Sequence, residues 1–111
     1  MLLSHSATIF SGTVTENGNS QSTPVSTEYA QEAIFYLDIT AASEDATLDI
    51  TLNVYDSITD KWHLLATFSQ KTEVSTDVGY VQYGLNDKVS CSYVVDGTFT
   101  FKLTTNMKDP R

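Results

Sequence analysis

The sequence is poor in the residues that disulfides and nucleic-acid binding require. Its 111 residues include a single cysteine, Cys91, so no disulfide can form within the chain. Lysine and arginine together number 6 against 14 aspartates and glutamates, which gives a net charge of −8. An acidic surface repels phosphate backbones and anionic lipids, so neither nucleic acid nor a membrane is expected as a partner. The charge favours solubility or a basic protein partner.

Long apolar runs and helical periodicity are missing as well. No stretch approaches the ~18 apolar residues of a membrane-spanning helix. Polar residues follow the first three residues at once, so no signal peptide is predicted. No segment repeats its apolar residues at helical spacing. With only two prolines and five glycines, the chain is also not of low complexity.

The clearest pattern in the chain covers residues 46–56. Apolar residues occupy the even positions from 48 to 54, and mostly polar residues occupy the odd positions. Because successive side chains of a strand point to opposite faces, this pattern predicts a central strand with one buried face. The same alternation recurs in four other segments: residues 33–40, 62–68, 89–95 and 99–103.

Short alternating runs separated by turn signals predict an all-β fold. We expect a single antiparallel β-sandwich, jelly-roll or Ig-like, of about seven to eight strands with an extended N-terminal segment. Residues 1–31 would hold a strand and a polar arm loosely attached to the core, residues 32–107 the sandwich, and residues 108–111 a polar tail. Asp96-Gly97 predicts a two-residue hairpin between its flanking strands, and a hairpin is also the simplest link across residues 42–45.

The alternation also predicts which side chains point into the core. The inward set is Leu48, Ile50, Leu52, Val54, Trp62, Leu64, Phe68, Val89, Cys91, Tyr93, Phe99, Phe101 and Leu103.

No arrangement of residues indicates catalysis. His5 and His63 are the only histidines, and no GxSxG motif accompanies them. His63 lies on the outward face of its predicted strand. Cys91 falls among core positions, where a thiol behaves as a small hydrophobe rather than as a nucleophile. We therefore assign no catalytic residue and do not expect an enzyme.

Two groups of residues leave alternatives open. Asp56 and Asp60 in one loop, and Glu44 and Asp45 in another, are either calcium ligands or solvated loop charges. No metal-binding spacing supports the first alternative, so no metal or cofactor is assigned. An aromatic set is either core packing, a sugar-stacking platform or a protein interface: Tyr55, Trp62, Tyr80 and Tyr83.

The polar segment 20–28 is broken by Pro24, which cannot donate a hydrogen bond to a sheet ladder. It is either a flexible surface loop or an extended arm that adds a strand to a neighbouring subunit. On the second hypothesis the contact residues are Ile9, Phe10, Pro24, Val25 and Tyr29.

Several motifs carry a resemblance to a known group of proteins. They are LDITAAS at 37–43, TLDITL at 47–52, WHLLATFSQ at 62–70, KVS at 88–90, and Gly97 before the strand that begins FTF at 99–101. The pattern resembles short β-sandwich proteins encoded in the structural modules of tailed bacteriophages. The loop 56–61 lacks the glycine of that group, and the N-terminal third of the chain matches no known pattern.

This resemblance implies a virion component, such as a capsid decoration (cement) protein or a head–tail or tail accessory protein. Our leading hypothesis is a non-enzymatic protein that binds and stabilises the assembled head as a homo-oligomer. Its partner would be the major capsid protein or another virion protein, and it would reside in virions assembled in the host cytoplasm. The alternative, from the aromatic residues, is a carbohydrate-binding β-sandwich module.

Overall fold

The computed structural model of the protein describes residues 3–28, 30–81, 85 and 87–109. These residues form nine strands: β1 (Leu3–Val14), β2 (Gly18–Asn19), β3 (Val25–Ser26), β4 (Glu32–Ala42), β5 (Thr47–Asp56), β6 (Lys61–Thr67), β7 (Ser75–Val81), β8 (Lys88–Asp96) and β9 (Phe99–Asp109). No helix with the length and hydropathy of a membrane span occurs in these ranges.

The strands form two antiparallel sheets. Sheet A has the order β1-β9-β4-β7, and sheet B has the order β2-β8-β5-β6. Strand β3 also pairs with β8, so β2 and β3 share one edge of that strand. The predicted all-β antiparallel sandwich is therefore confirmed. The strand number exceeds the expected seven to eight because residues 18–19 and 25–26 form two additional strands of two residues each.

The core lies between the sheets and follows the alternation of strands β4, β5 and β9. The even positions of β5 from Leu48 to Val54 are buried, as predicted, and so are the alternating residues of β4 and β9. Phe35, Phe99 and Phe101 are the largest of the fully buried side chains. Burial of a large apolar side chain stabilises a fold by roughly 1.5–3 kcal/mol. These strands therefore supply most of the driving force that orders the chain.

Strand β1 belongs to the sandwich, contrary to the expected loose attachment. It pairs with β9 along its whole length, from Leu3 opposite Asp109 to Val14 opposite Phe99. A bulge after Thr8 lets two successive side chains face inward. As a result Ile9 is only 3% exposed, which removes it from the predicted surface contacts.

The C-terminal strand is also longer than predicted. β9 continues to Asp109, and Met107 is buried in the core. The predicted polar tail from residue 108 therefore begins inside a strand. The error arose because threonine, asparagine and lysine at the alternate positions 104–108 look like a tail, although they form the outer face of an inner strand.

Both predicted hairpins are wrong. β4 and β9 lie in sheet A whereas β5 and β8 lie in sheet B, so each short link crosses between the sheets. The two crossings lie side by side: Ser43 N donates to Thr98 O at 2.9 Å, and Thr98 N donates to Ser43 Oγ at 2.9 Å.

Gly97 explains why the second link looks like a hairpin. Its φ is +92°, and a Cβ there would lie 2.7 Å from Ala46 Cβ. An Asp-Gly pair marks a sharp reversal with positive φ, which a sandwich corner requires as much as a hairpin does. The pair therefore predicts the turn but not the sheet to which the next strand belongs.

Candidate functional site

The two histidines do not form a catalytic centre. His63 lies on the β5–β6 hairpin, with Nε2 3.6 Å from Asp56 Oδ2 and 3.5 Å from Thr59 Oγ1. The Thr59 hydroxyl donates to Asp56 Oδ2 at 2.8 Å and Ile58 N donates to Oδ1 at 2.9 Å. These hydrogen bonds lower the pKa of the Asp56 carboxyl. The acid therefore organises an exposed turn and does not activate a nucleophile.

The loop carboxylates are not assembled into a metal site. Within the described ranges, no three His, Cys, Asp or Glu side chains are grouped closely enough to hold a metal ion. Asp60 accepts a hydrogen bond from the Tyr55 hydroxyl, and Asp45 occupies a left-handed turn position with φ 58°. Aspartate tolerates that conformation, so its place in the turn is explained without a ligand.

Cys91 lies in the core beneath the polar segment. Its backbone N donates to Ser20 Oγ at 3.0 Å, and the Ser20 hydroxyl lies 3.6 Å from its sulfur. Burial raises the pKa of the Cys91 thiol. The thiol is therefore held in its protonated, weakly nucleophilic form.

Residues 15–28, 30 and 31, called the arm below, lie on the sandwich of their own chain. Ser20 N donates to Cys91 O at 2.9 Å, Thr27 N to Asp87 O at 2.8 Å, and Gln31 N to Lys108 O at 2.8 Å. Of the predicted contact residues, Pro24 and Val25 are half-buried in the arm and Tyr29 lies outside the described residues. The arm thus covers the edge of β8 within one chain.

An aromatic cluster fixes the arm side of the sandwich. Phe10 stacks on Phe101 with ring centroids 4.8 Å apart, and Tyr93 contacts both rings at 5.1 and 5.8 Å. Gly18 of β2 lies against this cluster, and a Cβ there would lie 2.6 Å from the Tyr93 hydroxyl oxygen. Burial raises the pKa of Tyr93. Phe10, predicted as a surface contact, is instead part of this packing.

A groove of about 400 Å³ remains between the arm and the ends of β1 and β9. Ala7, Val25 and Met107 contribute to its apolar lining, while Glu28 and Asp109 add carboxylates. Of the predicted contact residues that the structure describes, Val25 lines this groove.

An aromatic patch on the outer face of sheet B contains Tyr55, Trp62 and Lys88. The two rings meet edge to face with centroids 5.4 Å apart, and Lys88 Nζ lies 4.2 Å from the centre of the Tyr55 ring. A cavity of about 180 Å³ adjoins the patch, lined in part by Asp56 and Asp87. Trp62 was predicted to point into the core, whereas the structure places it half-buried on the outer face of sheet B.

Strand β6 departs from the predicted alternation because it carries an extra residue. The register with β5 shifts between Leu52 and Asn53, where Leu65 is left over. Trp62 is opposite Tyr55 and Leu64 is opposite Asn53, so both point outward. Leu64 is 68% exposed although the alternation predicted burial. The adjacent pair Leu64-Leu65, which breaks strict alternation, was the available sequence signal.

A second groove, of about 160 Å³, opens between the edge strands β6 and β7. Leu52 and Phe68 contribute core atoms to it, and Ala66, Val78 and Val81 line its walls. This edge groove and the outward face of β6 were missed by sequence reasoning, which placed the interface in the arm.

The chain matches no protein-family model and no curated protein. Its fold is similar to that of the SPBc2 prophage-derived protein YomS, with a TM-score of 0.67 and 12% identity over 98% of this chain and 96% of that one. It is also similar to part of a chain in the structure of infectious bursal disease virus strain Gx, with a TM-score of 0.54 and 8% identity. A second structure, of the T13 particle of that virus, gives a TM-score of 0.53 and 8% identity.

The coverage differs between these neighbours. This chain is matched over 97% of its length in both viral structures but spans only 32% and 31% of the viral chains. The viral chains therefore contain this sandwich as one part of a larger protein, whereas the prophage-derived protein is matched end to end. At these identities the likeness shows the shared fold.

Proposed function

We propose that this protein is a structural component of a phage particle and acts by surface contact rather than by catalysis. The observation that carries the proposal is the end-to-end likeness to a prophage-derived protein, 98% of one chain against 96% of the other. The phage-like packing motifs of the sequence point the same way independently. The contacts of His63 and Cys91 support a structural role for both residues.

The strand order adds support from topology. If β2 and β3 are counted as one interrupted strand, the protein has eight strands in two four-stranded sheets. The orders β1-β9-β4-β7 and β2-β8-β5-β6 then correspond to a jelly roll, in which consecutive strands cross repeatedly between sheets. Jelly rolls are common among viral capsid and lectin domains. The fold likeness to chains of a virus particle fits this reading.

The more specific proposal is a capsid decoration protein that binds the major capsid protein on the assembled head. A protein that binds only the assembled state stabilises it by mass action. The net charge of −8 suits docking on a basic outer surface and would speed association at low salt. A head–tail or tail accessory role, with another virion protein as the partner, uses the same kind of contact.

Fractionation of particles tests this proposal. Phage particles from the source strain would be purified by density gradient and separated into complete particles, tailless heads and free tails, and the protein would be quantified by mass spectrometry. We expect many copies per complete particle. Recovery with tailless heads supports the decoration role, and recovery with free tails supports the accessory role. Absence from all three fractions at stoichiometric levels overturns the proposal.

A second candidate function, carbohydrate binding, is favoured by the aromatic patch. Trp62 and Tyr55 offer ring surface beside Asp56 and Asp87, which can accept hydrogen bonds from sugar hydroxyls. Because Trp62 is the only tryptophan, a glycan that stacks there would change the fluorescence directly. A glycan array followed by titration would show saturable quenching that is lost in W62A. A blank array excludes this function and leaves the virion proposal intact.

A further inference from the structure

We propose that two copies of this chain associate edge to edge through β6, the outer strand of sheet B. The interface would be isologous, with each β6 running antiparallel to the other, so that the two copies of sheet B become continuous. This inference goes beyond the proposed virion role and does not depend on it, because it concerns the purified chain alone.

Most of the exposed large apolar side chains lie on or next to the edge strands β6 and β7, but on both outer faces of the sandwich. Six large apolar residues are exposed in the described part of the chain: Tyr36, Ile58, Leu64, Val74, Val78 and Val94. Ile58 and Leu64 belong to the β5–β6 hairpin, Val74 and Val78 to β7 and the residue before it, and Tyr36 is opposite Val78. Only Val94, on β8, lies elsewhere. Of these residues, Leu64 points outward from sheet B and lies on the face that a second β6 would extend, whereas Tyr36 and Val78 point outward from sheet A.

The backbone of β6 is also less protected than the other sheet edges. In the described residues β6 pairs only with β5. Its sequence KWHLLAT has no proline and no carboxylate, and its only lysine stands at the first position. By contrast, β7 carries Asp77, which holds Lys71 at 2.5 Å, and the exposed positions of β1 are mainly serine and threonine. Natural edge strands usually carry devices against pairing, and apart from the bulge at Leu65, β6 has few of them.

The register of such a pairing follows from the faces of the side chains. Trp62 and Leu64 both point to the outer face of sheet B, and His63 points to the other face. Directly opposed residues of antiparallel strands share a face. A two-fold axis at His63 therefore places each Trp62 opposite the partner's Leu64 and His63 opposite its own copy. In this register, a large apolar residue of one copy therefore faces a large apolar residue of the other copy.

The distribution of charge favours a second copy over a basic peptide as the occupant. Residues 61–72 contain no aspartate or glutamate, although the whole chain has a net charge of −8. A basic peptide would meet Lys61 on this strand and no carboxylate of β6. With the axis at His63, residues 59 and 60 of the hairpin tip would instead lie beside residues 67 and 66 of the other copy, whereas Asp56 pairs with Lys61 on β5. Carboxylates therefore do not oppose carboxylates along the strand.

Sedimentation velocity of the purified protein from about 1 μM to about 1 mM covers the affinities of transient dimers and tests the association. We expect the wild type to shift from monomer to dimer as its concentration rises. L64K places a charge at the centre of the contact and should weaken the dimer roughly tenfold or more. V94K is the matched control, because Val94 is 57% exposed on the same sheet but away from β6. It should dimerise like the wild type.

Oxidative cross-linking tests the register. In H63C the new thiols face each other across the two-fold axis and should give a disulfide-linked dimer. T67C, at an exposed position of the same strand, should not, because residue 67 lies opposite the hairpin tip. A wild type that stays monomeric throughout the concentration range overturns the proposal. So does equal dimerisation of L64K and wild type, or cross-linking at position 67 in place of 63.

Discussion

The sandwich has two lateral sides, which differ in whether another segment of the chain covers their strand edges. On one side the arm lies along β8, its backbone hydrogen-bonded to Cys91 and Asp87, and the aromatic cluster around Phe10 fills the space beneath. On the other side β6 and β7 end the two sheets with a groove between them. The exposed apolar residues gather on this second side, with Leu64 68% exposed.

The difference shows that the polarity of a segment is a poor guide to whether it covers a strand edge of its own chain. The arm is rich in serine and threonine, yet those hydroxyls and the backbone satisfy the edge of β8 within the same chain. β6 is apolar, yet its edge position leaves Trp62 and Leu64 at the surface. The arm occupies the backbone hydrogen-bonding groups at the edge of β8. In the described part of the chain the outer edge of β6 has no such cover, so its backbone groups remain able to pair with another strand.

The largest expected effect comes from truncating the packing on the arm side. F10A removes a ring that contacts Phe101 and Tyr93, so it should lower the free energy of unfolding by about 2–4 kcal/mol. L64A, on the open side, should change it by less than about 0.5 kcal/mol, because exposed substitutions have small effects. Urea denaturation of both variants measures the contrast. Equal losses would show that the two sides do not differ in their contribution to the fold.

The sequence pattern predicted the buried residues well in strands that have a neighbouring strand on both edges. In β5 and β9 both neighbours are strands and one face is buried, so the hydrophobic alternation directly reports burial. At β6 the same alternation fails, because an edge strand has one neighbour and Leu65 shifts the register halfway along. Period alone carries no information on whether a strand is at an edge.

The sheet to which each strand belongs was beyond the sequence pattern. Asp96-Gly97 predicted a reversal correctly, but pairing depends on contacts such as Ser43 with Thr98, which are 55 residues apart in the chain. The position of the arm was equally unpredictable, because it depends on a contact between Ser20 and Cys91, which are 71 residues apart in the chain. Nonlocal hydrogen bonds of polar residues leave no periodic signal, so the sequence pattern does not show that the arm lies on β8 of its own chain.

A smaller effect is expected from a substitution that removes a hydrogen bond of the arm itself. S20A removes the acceptor of the Cys91 N–H and should destabilise the closed arm by about 1 kcal/mol. Because Cys91 is buried and its thiol is the only one in the chain, it should react with a thiol reagent only through openings of the structure. We expect S20A to react about fivefold faster than the wild type under native conditions, since about 1 kcal/mol corresponds to that factor.

The control for this experiment is S22A, at an exposed position of the same arm. It should label at the wild-type rate. If S20A and S22A label alike, the Ser20 hydrogen bond does not hold the arm closed.

The smallest effect concerns the open side, where Lys71 Nζ lies 2.5 Å from Asp77 Oδ2 and joins the β6–β7 connection to β7. The hydrogen bond from Lys71, followed by that from Val78 N, lowers the pKa of Asp77 below its ordinary value.

A carboxyl whose pKa is lower in the folded state stabilises the fold above its unfolded pKa, and this contribution is lost as the pH falls through the folded pKa. D77N should therefore be less stable than the wild type at pH 6, and the difference should shrink progressively below about pH 4. Thermal denaturation across this range, with D38N as the exposed control on β4, measures it. A difference in stability that stays constant from pH 6 to the acid limit would mean that the Asp77 side chain acts through packing and not through its ion pair with Lys71.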